Sequence, residues 1–377
     1  MRPPLVQAAR DICELVEAYA DQAEAQRRLP LALVEALAKV DLLRMCVPKV
    51  YGGPEADPRT VIEAIETVAA ADGATGWCVM IASTTSSLCS YLGEEWARRI
   101  YGDPATITGG VFAPNGTGIE VDGGWQVSGR WMWGSGGQHC RYLTGGTNVT
   151  TRDGRAEMHV MFFDAADVTI HDTWYTAGLC GTGSNDFSVD NAFVPTGRSL
   201  QPMASRPMVE APLAAFPNFT LLAIGVAAVT LGIARRALDE FADLAHEKRP
   251  QFSARTLAQT GSVQADYAKA EAGLRAARAL LLDEVDQAWA SVLSGDPVDL
   301  PTRARIRLAG AHAATSAVAA VETAFTLAGG TAVFSASPLQ RCLRDVHVAK
   351  QHVMVAPRLY ETAGKLLLGG EANTSMF

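Results

Sequence analysis

Gly118-Ile119-Glu120-Val121-Asp122-Gly123-Gly124-Trp125-Gln126-Val127 is the stretch on which the fold turns. Apolar and polar residues alternate on both sides of an Asp-Gly pair, the period-2 pattern of two strands joined by a tight turn. More strands are expected over 142–149, 158–164 and 187–194, enough for a small sheet or barrel between Ile107 and about Pro195.

Outward from this sheet the texture is helical. On the N-terminal side Leu33, Val34, Leu37 and Val40, then Ile62, Ile65, Val68 and Ala69, recur at helical spacing. Tyr51-Gly52-Gly53-Pro54 marks a sharp loop between them. On the C-terminal side Pro202, Pro207, Pro212 and Pro217 space out a linker. Alanine-rich helices are then expected over 219–245, 257–293, 301–327 and 339–367, the last interrupted at Pro357. Three domains follow: helical over 1–106, β over 107–202 and a four-helix bundle over 203–377.

Composition narrows the function. A net charge of −8 repels a phosphate backbone, so nucleic acid is not an expected partner. Seven cysteines, odd in number and without a Cys-x-x-Cys pair, suggest neither a disulfide framework nor a zinc site, and fit a reducing cytoplasm. The N-terminal residues lead into Asp11 and Glu14 without the basic start and apolar block of a signal peptide. The apolar run 219–234 is shorter than the roughly 18 residues of a membrane span and reads as a buried core helix.

Several local stretches add to this helix, sheet, helix order. They are Val47-Pro48-x-x-Tyr51-Gly52-Gly53, Asp72-Gly73-Ala74-Thr75-Gly76-Trp77, Gly129-Arg130-Trp131-Met132-Trp133-Gly134-Ser135-Gly136 and Gly181-Thr182-Gly183-Ser184. With Pro338-Leu339-Gln340-Arg341-x-x-Arg344-Asp345-Val346-His347-x-x-x-Gln351-His352, the chain resembles the acyl-CoA dehydrogenase superfamily. It is most similar to the branch formed by the oxygenase components of two-component flavin monooxygenases. The resemblance implies the acyl-CoA dehydrogenase fold, mainly α with a β domain, and a homotetramer with the flavin straddling subunits.

The same resemblance supplies site residues. Phe112, in the loop Phe112-Ala113-Pro114-Asn115-Gly116, matches a flavin-contacting strand end. Trp133, Gly134 and Ser135 form the flavin wall, with the Ser135 hydroxyl bonding to flavin N5. Arg255, in what looks like a helix, and Gly329-Gly330-Thr331 contact the flavin phosphate. Trp77 and Trp131 are assigned to the substrate; on one strand Trp131 and Trp133 would share a face. Ser135 is not a hydrolase nucleophile, because the position two before it is Trp133 rather than glycine.

Dehydrogenases of this family commonly carry a catalytic Glu about eight residues after the Arg-Asp pair; here that count reaches Val353, which cannot accept a proton. Glu361, in Tyr360-Glu361-Thr362, lies too late and reads as a solvated helix carboxylate. An oxygenase needs instead a group that stabilises and protonates the C4a-hydroperoxyflavin formed when reduced flavin meets O2. His352, set over the flavin by the last long helix, is the catalytic candidate, with Ser135 beside it. His347 and His352 would point about 140° apart on that helix, so no metal site is expected.

Gly178-x-x-Gly181-x-Gly183 lacks the strand and helix of a dinucleotide fingerprint and reads as a turn. Reduced flavin, FMN or FAD, should then come from a separate NAD(P)H-dependent flavin reductase. The expected function is a cytoplasmic oxygenase that uses reduced flavin and O2 to hydroxylate or oxygenate a small, aromatic molecule. An FAD-dependent acyl-CoA dehydrogenase and a non-catalytic flavin-binding or assembly subunit remain open alternatives.

Overall fold

The computed structural model describes residues 5–201, 205–374 and 376–377. Six helices come first: α1 (Leu5–Asp11), α2 (Cys13–Gln26), α3 (Leu31–Lys39), α4 (Pro58–Ala71), α5 (Gly73–Ser86) and α6 (Glu94–Tyr101). The stripe Val61, Ile62, Ile65, Val68 and Ala69 makes α4 a core helix. Asp72 starts α5 by accepting the Thr75 N–H at 2.7 Å, which satisfies a donor the first turn leaves open. That cap aims α5, buried over nearly its whole length, into the middle of the molecule.

Seven strands follow: β1 (Thr108–Val121), β2 (Gly124–Trp131), β3 (Tyr142–Thr150), β4 (Ala156–Asp164), β5 (Thr169–His171), β6 (Asp186–Pro195) and β7 (Ser199–Leu200). They form one sheet in the order β5-β6-β2-β1-β3-β4-β7. The hairpin is β1–β2, with Val121 opposite Gly124 and Gly123 at φ +77° closing the turn. The other neighbours are antiparallel except β1 and β3, which are parallel.

Phe112–Gly116 is not a loop at a strand end but an irregularity inside β1. Val111 pairs with Gly145 and Gly116 with Thr147, so residues 112–115 stand against Gly146 alone. Such a bulge re-aims side chains. It turns Phe112 onto Phe219, ring centroids 5.9 Å apart. A Cβ at position 146 would lie 2.2 Å from the Phe112 carbonyl oxygen, which explains the glycine.

Five helices complete the chain: α7 (Asn218–Glu247), α8 (Gly261–Leu293), α9 (Leu300–Ala328), α10 (Pro338–Ala349) and α11 (Arg358–Leu367). By length and hydropathy α7 could cross a membrane, yet 83% of its most apolar window is buried against its neighbours, as the core-helix reading expected. Pro202 of the linker, and with it the 202/203 boundary, lies outside the described residues.

The expected helix over 339–367 is two helices. α10 stops at Ala349, eight residues before Pro357, and a 3-10 turn, Val353–Val355, lies in the gap. Arg307 of α9 accounts for that turn. It is fully buried and donates to the Met354 carbonyl oxygen at 3.3 Å, a bond that a continuous helix would deny it.

Candidate active site

Three elements meet at Ser135. The segment after β2 leaves the sheet at Met132 and is tied to the loop before β6: Gly134 N–H donates to the Asn185 carbonyl at 2.9 Å and Gly136 N–H to the Thr182 carbonyl at 2.8 Å. From α5, Trp77 Nε1 donates to Ser135 Oγ at 3.0 Å. His352 also packs on the Trp77 indole, ring centroids 5.6 Å apart and nearly edge-on. A pocket of about 20 Å³, with Cys78, Ile81, His139 and Cys140 in its lining, opens beside Ser135.

His352 is not carried by a helix; it caps the 3-10 turn, its Nδ1 accepting the Met354 N–H at 3.3 Å. The proton of the neutral ring therefore sits on Nε2. Burial, with a smaller push from Arg307, takes its pKa down to about 4. The ring is neutral at pH 7 and offers an N–H donor, rather than titrating near neutrality as its ordinary pKa suggests. His347 and His352 do not share a helix, since α10 ends between them. His347 pairs with Glu322 at 3.2 Å.

Trp131 does not reach this site. It is fully buried in the sheet, stacked on Phe187 at 5.1 Å, and its Nε1 donates to the Gly146 carbonyl at 2.8 Å. Gly116, Gly129 and Gly145 surround it, each where a Cβ would come within 2.7 Å of the indole. It is a core residue, and its assignment to the substrate is withdrawn. Trp133 does not share its face: β2 has ended, Trp133 takes φ +70°, and its side chain is 64% exposed.

Arg255 lies in an exposed turn between α7 and α8 rather than in a helix. Gly329-Gly330-Thr331 closes α9, and there the structure adds a cation that the sequence reading missed. Lys248 Nζ donates to Thr331 Oγ1 at 2.6 Å and to the Ala328 carbonyl. A lysine at a helix end carries no local signal for this partner, 83 residues away. Glu361 is exposed on α11 and paired with Lys365 at 2.7 Å, which holds its carboxyl below the usual range.

Behind the site lies a second cleft, of about 300 Å³, with Glu17, Asp21, Asp72, Arg236, Arg341 and Asp345 in its wall. Asp345, 4% exposed, accepts the Leu179 N–H at 2.6 Å. Burial and the neighbouring Asp72 push its carboxyl up to about 7.

A strained, exposed indole two residues from the buried Ser135 hydroxyl fits a flat aromatic cofactor. The left-handed conformation of Trp133 costs an L-residue roughly 1–2 kcal/mol, and a planar ring system would cover the indole it leaves in solvent.

Residues 4–105 match the acyl-CoA dehydrogenase N-terminal domain and residues 224–357 the acyl-CoA dehydrogenase C-terminal domain. The chain belongs to the acyl-CoA dehydrogenase family, and within it to the flavin-dependent monooxygenases. It is 33% identical to indole-3-acetate monooxygenase of Pseudomonas putida, over 91% of this chain and 88% of the relative. It is 30% identical to the oxygenase subunit HsaA of Rhodococcus jostii, over 90% and 91%. The crystal structure of 3-HSA hydroxylase from Rhodococcus sp. RHA1 superposes with a TM-score of 0.93, at 27% identity, covering 100% of this chain and 99% of that one.

Proposed function

We propose that this monooxygenase takes FMNH2 or FADH2 from a separate NAD(P)H-dependent reductase and oxygenates a small aromatic compound. The observation that carries the reading is the set of groups at Ser135. A neutral imidazole and a buried hydroxyl flank Trp77, and the carboxylate a dehydrogenase needs is replaced by Val353. The names of the relatives, an indole-3-acetate monooxygenase and an oxygenase subunit, support the aromatic substrate and the separate reductase.

Bound reduced flavin supplies the electrons that activate O2. Ser135 would orient the ring at N5, and His352 Nε2–H would offer a hydrogen bond to oxygen activated beside it. The Trp77 indole keeps both groups in a dry setting where such bonds are stronger than in water. Lys248 and Gly329–Thr331, which meet at the end of α9, and Arg255 would hold the phosphate.

The protein works as a cytoplasmic homotetramer in this reading. Phe252, Val333, Phe334 and Leu368, between 64% and 99% exposed at the ends of the C-terminal helices, are apolar surface that subunit contacts would cover. Light scattering should give about four times the 40.0 kDa chain mass; a stable monomer or dimer with flavin bound would refute the tetramer.

Supplying a flavin reductase, NADH, each flavin, 18O2 and indole-3-acetate tests the function. One 18O atom in the product supports it. Flavin reduction by butyryl-CoA, with no label in any product, would replace it with the dehydrogenase reading.

A further inference from the structure

Ser135 is the first of three buried hydroxyls in a row. Its Oγ lies 2.7 Å from Ser184 Oγ, which lies 2.6 Å from Thr182 Oγ1, which lies 2.8 Å from the Leu179 carbonyl oxygen. Ser135, Ser184 and Thr182 are 5%, 3% and 1% exposed, so bulk water does not complete their bonding.

The two ends of the row fix every hydrogen within it. An indole N–H only donates, a carbonyl only accepts, and a hydroxyl has one hydrogen to give. Thr182 must give its hydrogen to Leu179, because two bare oxygens at that distance would repel. Ser184 must then donate to Thr182, and Ser135 to Ser184. Trp77 N–H occupies one lone pair of Ser135 Oγ. What remains on Ser135 is a single lone pair, so toward any further partner it can only accept.

The far end is held still. Leu179 sits at φ +51°, its N–H gripped by Asp345. Its carbonyl also accepts from Trp174 Nε1 at 3.0 Å and from the Thr182 N–H at 3.1 Å. The carbonyl that sets the direction of the row cannot swing away without breaking these bonds.

We propose that Ser184 and Thr182 are specificity-determining residues: they make Ser135 a hydrogen-bond acceptor only, and thereby select reduced flavin over oxidised flavin. The inference rests on the reading above that Ser135 faces flavin N5. Reduced isoalloxazine carries a hydrogen on N5 and can donate it to Ser135. Oxidised isoalloxazine presents a lone pair there, and two acceptors would face each other without a bond, a loss of roughly tenfold in affinity or more.

Anaerobic titration of the full-length protein with FMN, FMNH2, FAD and FADH2 tests this, together with the midpoint potential of the bound flavin. Ser184→Ala removes the acceptor for the Ser135 hydrogen and frees it to turn toward N5. The ratio of oxidised to reduced dissociation constants should fall about tenfold, which lowers the two-electron potential of the bound flavin by about 30 mV. Thr182→Val should act in the same direction, and Thr182→Ser, which restores the hydroxyl, should keep the wild-type ratio. If Ser184→Ala and Thr182→Val keep that ratio while Ser135→Ala lowers it, the row does not set the direction and the proposal fails. If Ser135→Ala also leaves the ratio untouched, Ser135 does not face N5, and the flavin placement itself is wrong.

Discussion

Trp131 and Trp77 are both buried indoles whose N–H finds a partner within 3.0 Å, yet they serve different regions of the molecule. In the sheet core, Trp131 ends on a backbone carbonyl and is packed by glycines from β1, β2 and β3. At the site wall, Trp77 ends on a hydroxyl that still has bonding capacity to spare. A buried aromatic residue is thus structural when its polar atom meets a saturated partner, and functional when that partner passes the interaction on.

Substitutions should separate the two regions. The largest effect is expected in the core: Trp131→Ala opens a cavity among Phe163, Phe187 and three glycines, and should destabilise the fold by about 3–5 kcal/mol, read as a lower denaturation midpoint. His352→Ala should leave that midpoint near the wild-type value. It should lower the ratio of oxygenated product to released hydrogen peroxide by a factor of about 100, as loss of a preorganised hydrogen-bond donor does. An unchanged ratio would remove His352 from the chemistry.

Trp77→Phe keeps the ring and deletes one donor. It should weaken reduced-flavin binding about fivefold, the equivalent of about 1 kcal/mol for a single hydrogen bond. A loss as severe as that at Trp131 would show Trp77 to be core as well. Smallest of all, Glu361→Gln should leave turnover unchanged, because its carboxylate meets only Lys365 at the surface.

Much of the fold is legible in the sequence because it rests on periodicity. The Asp122-Gly123 hairpin, the strands over 142–149 and 158–164 and the core helix after Pro217 depend on neighbours a few residues away. The alternation that joined Trp131 to Trp133 misled because β2 ends between them, a termination set by bonds from the 132–136 segment to residues 182 and 185. The break after Ala349 has no glycine or proline at its start; its cause, Arg307, lies on another helix.

Within the site, Ser135 and His352 were readable from their motifs, and Gly181-Thr182-Gly183-Ser184 stood out as a landmark without a role. The hydroxyl bond between Ser135 and Ser184 spans 49 residues, and no local pattern encodes it. Trp131 and Trp77 are equally apolar in sequence, and only packing tells them apart.

The burial of Asp345 and His352, seven positions apart, has a calorimetric consequence. In the folded protein Asp345 holds its proton up to about pH 7, whereas an unfolded aspartate gives it up near 3.8. That contribution to stability is present at low pH and is lost as the pH rises through 7. His352 behaves in the opposite sense: unfolded it binds a proton below 6.5 and folded only below about 4, so its contribution is lost as the pH falls through that window. At pH 5.5 unfolding should therefore release one proton from Asp345 while His352 takes one up. From these two groups the unfolding enthalpy should gain no dependence on the ionisation heat of the buffer. Asp345→Asn should uncover the uptake by His352, so that melts in buffers of different ionisation heat diverge relative to the wild type by one proton's worth of heat. Equal divergence in both proteins would show that the two shifts do not oppose each other.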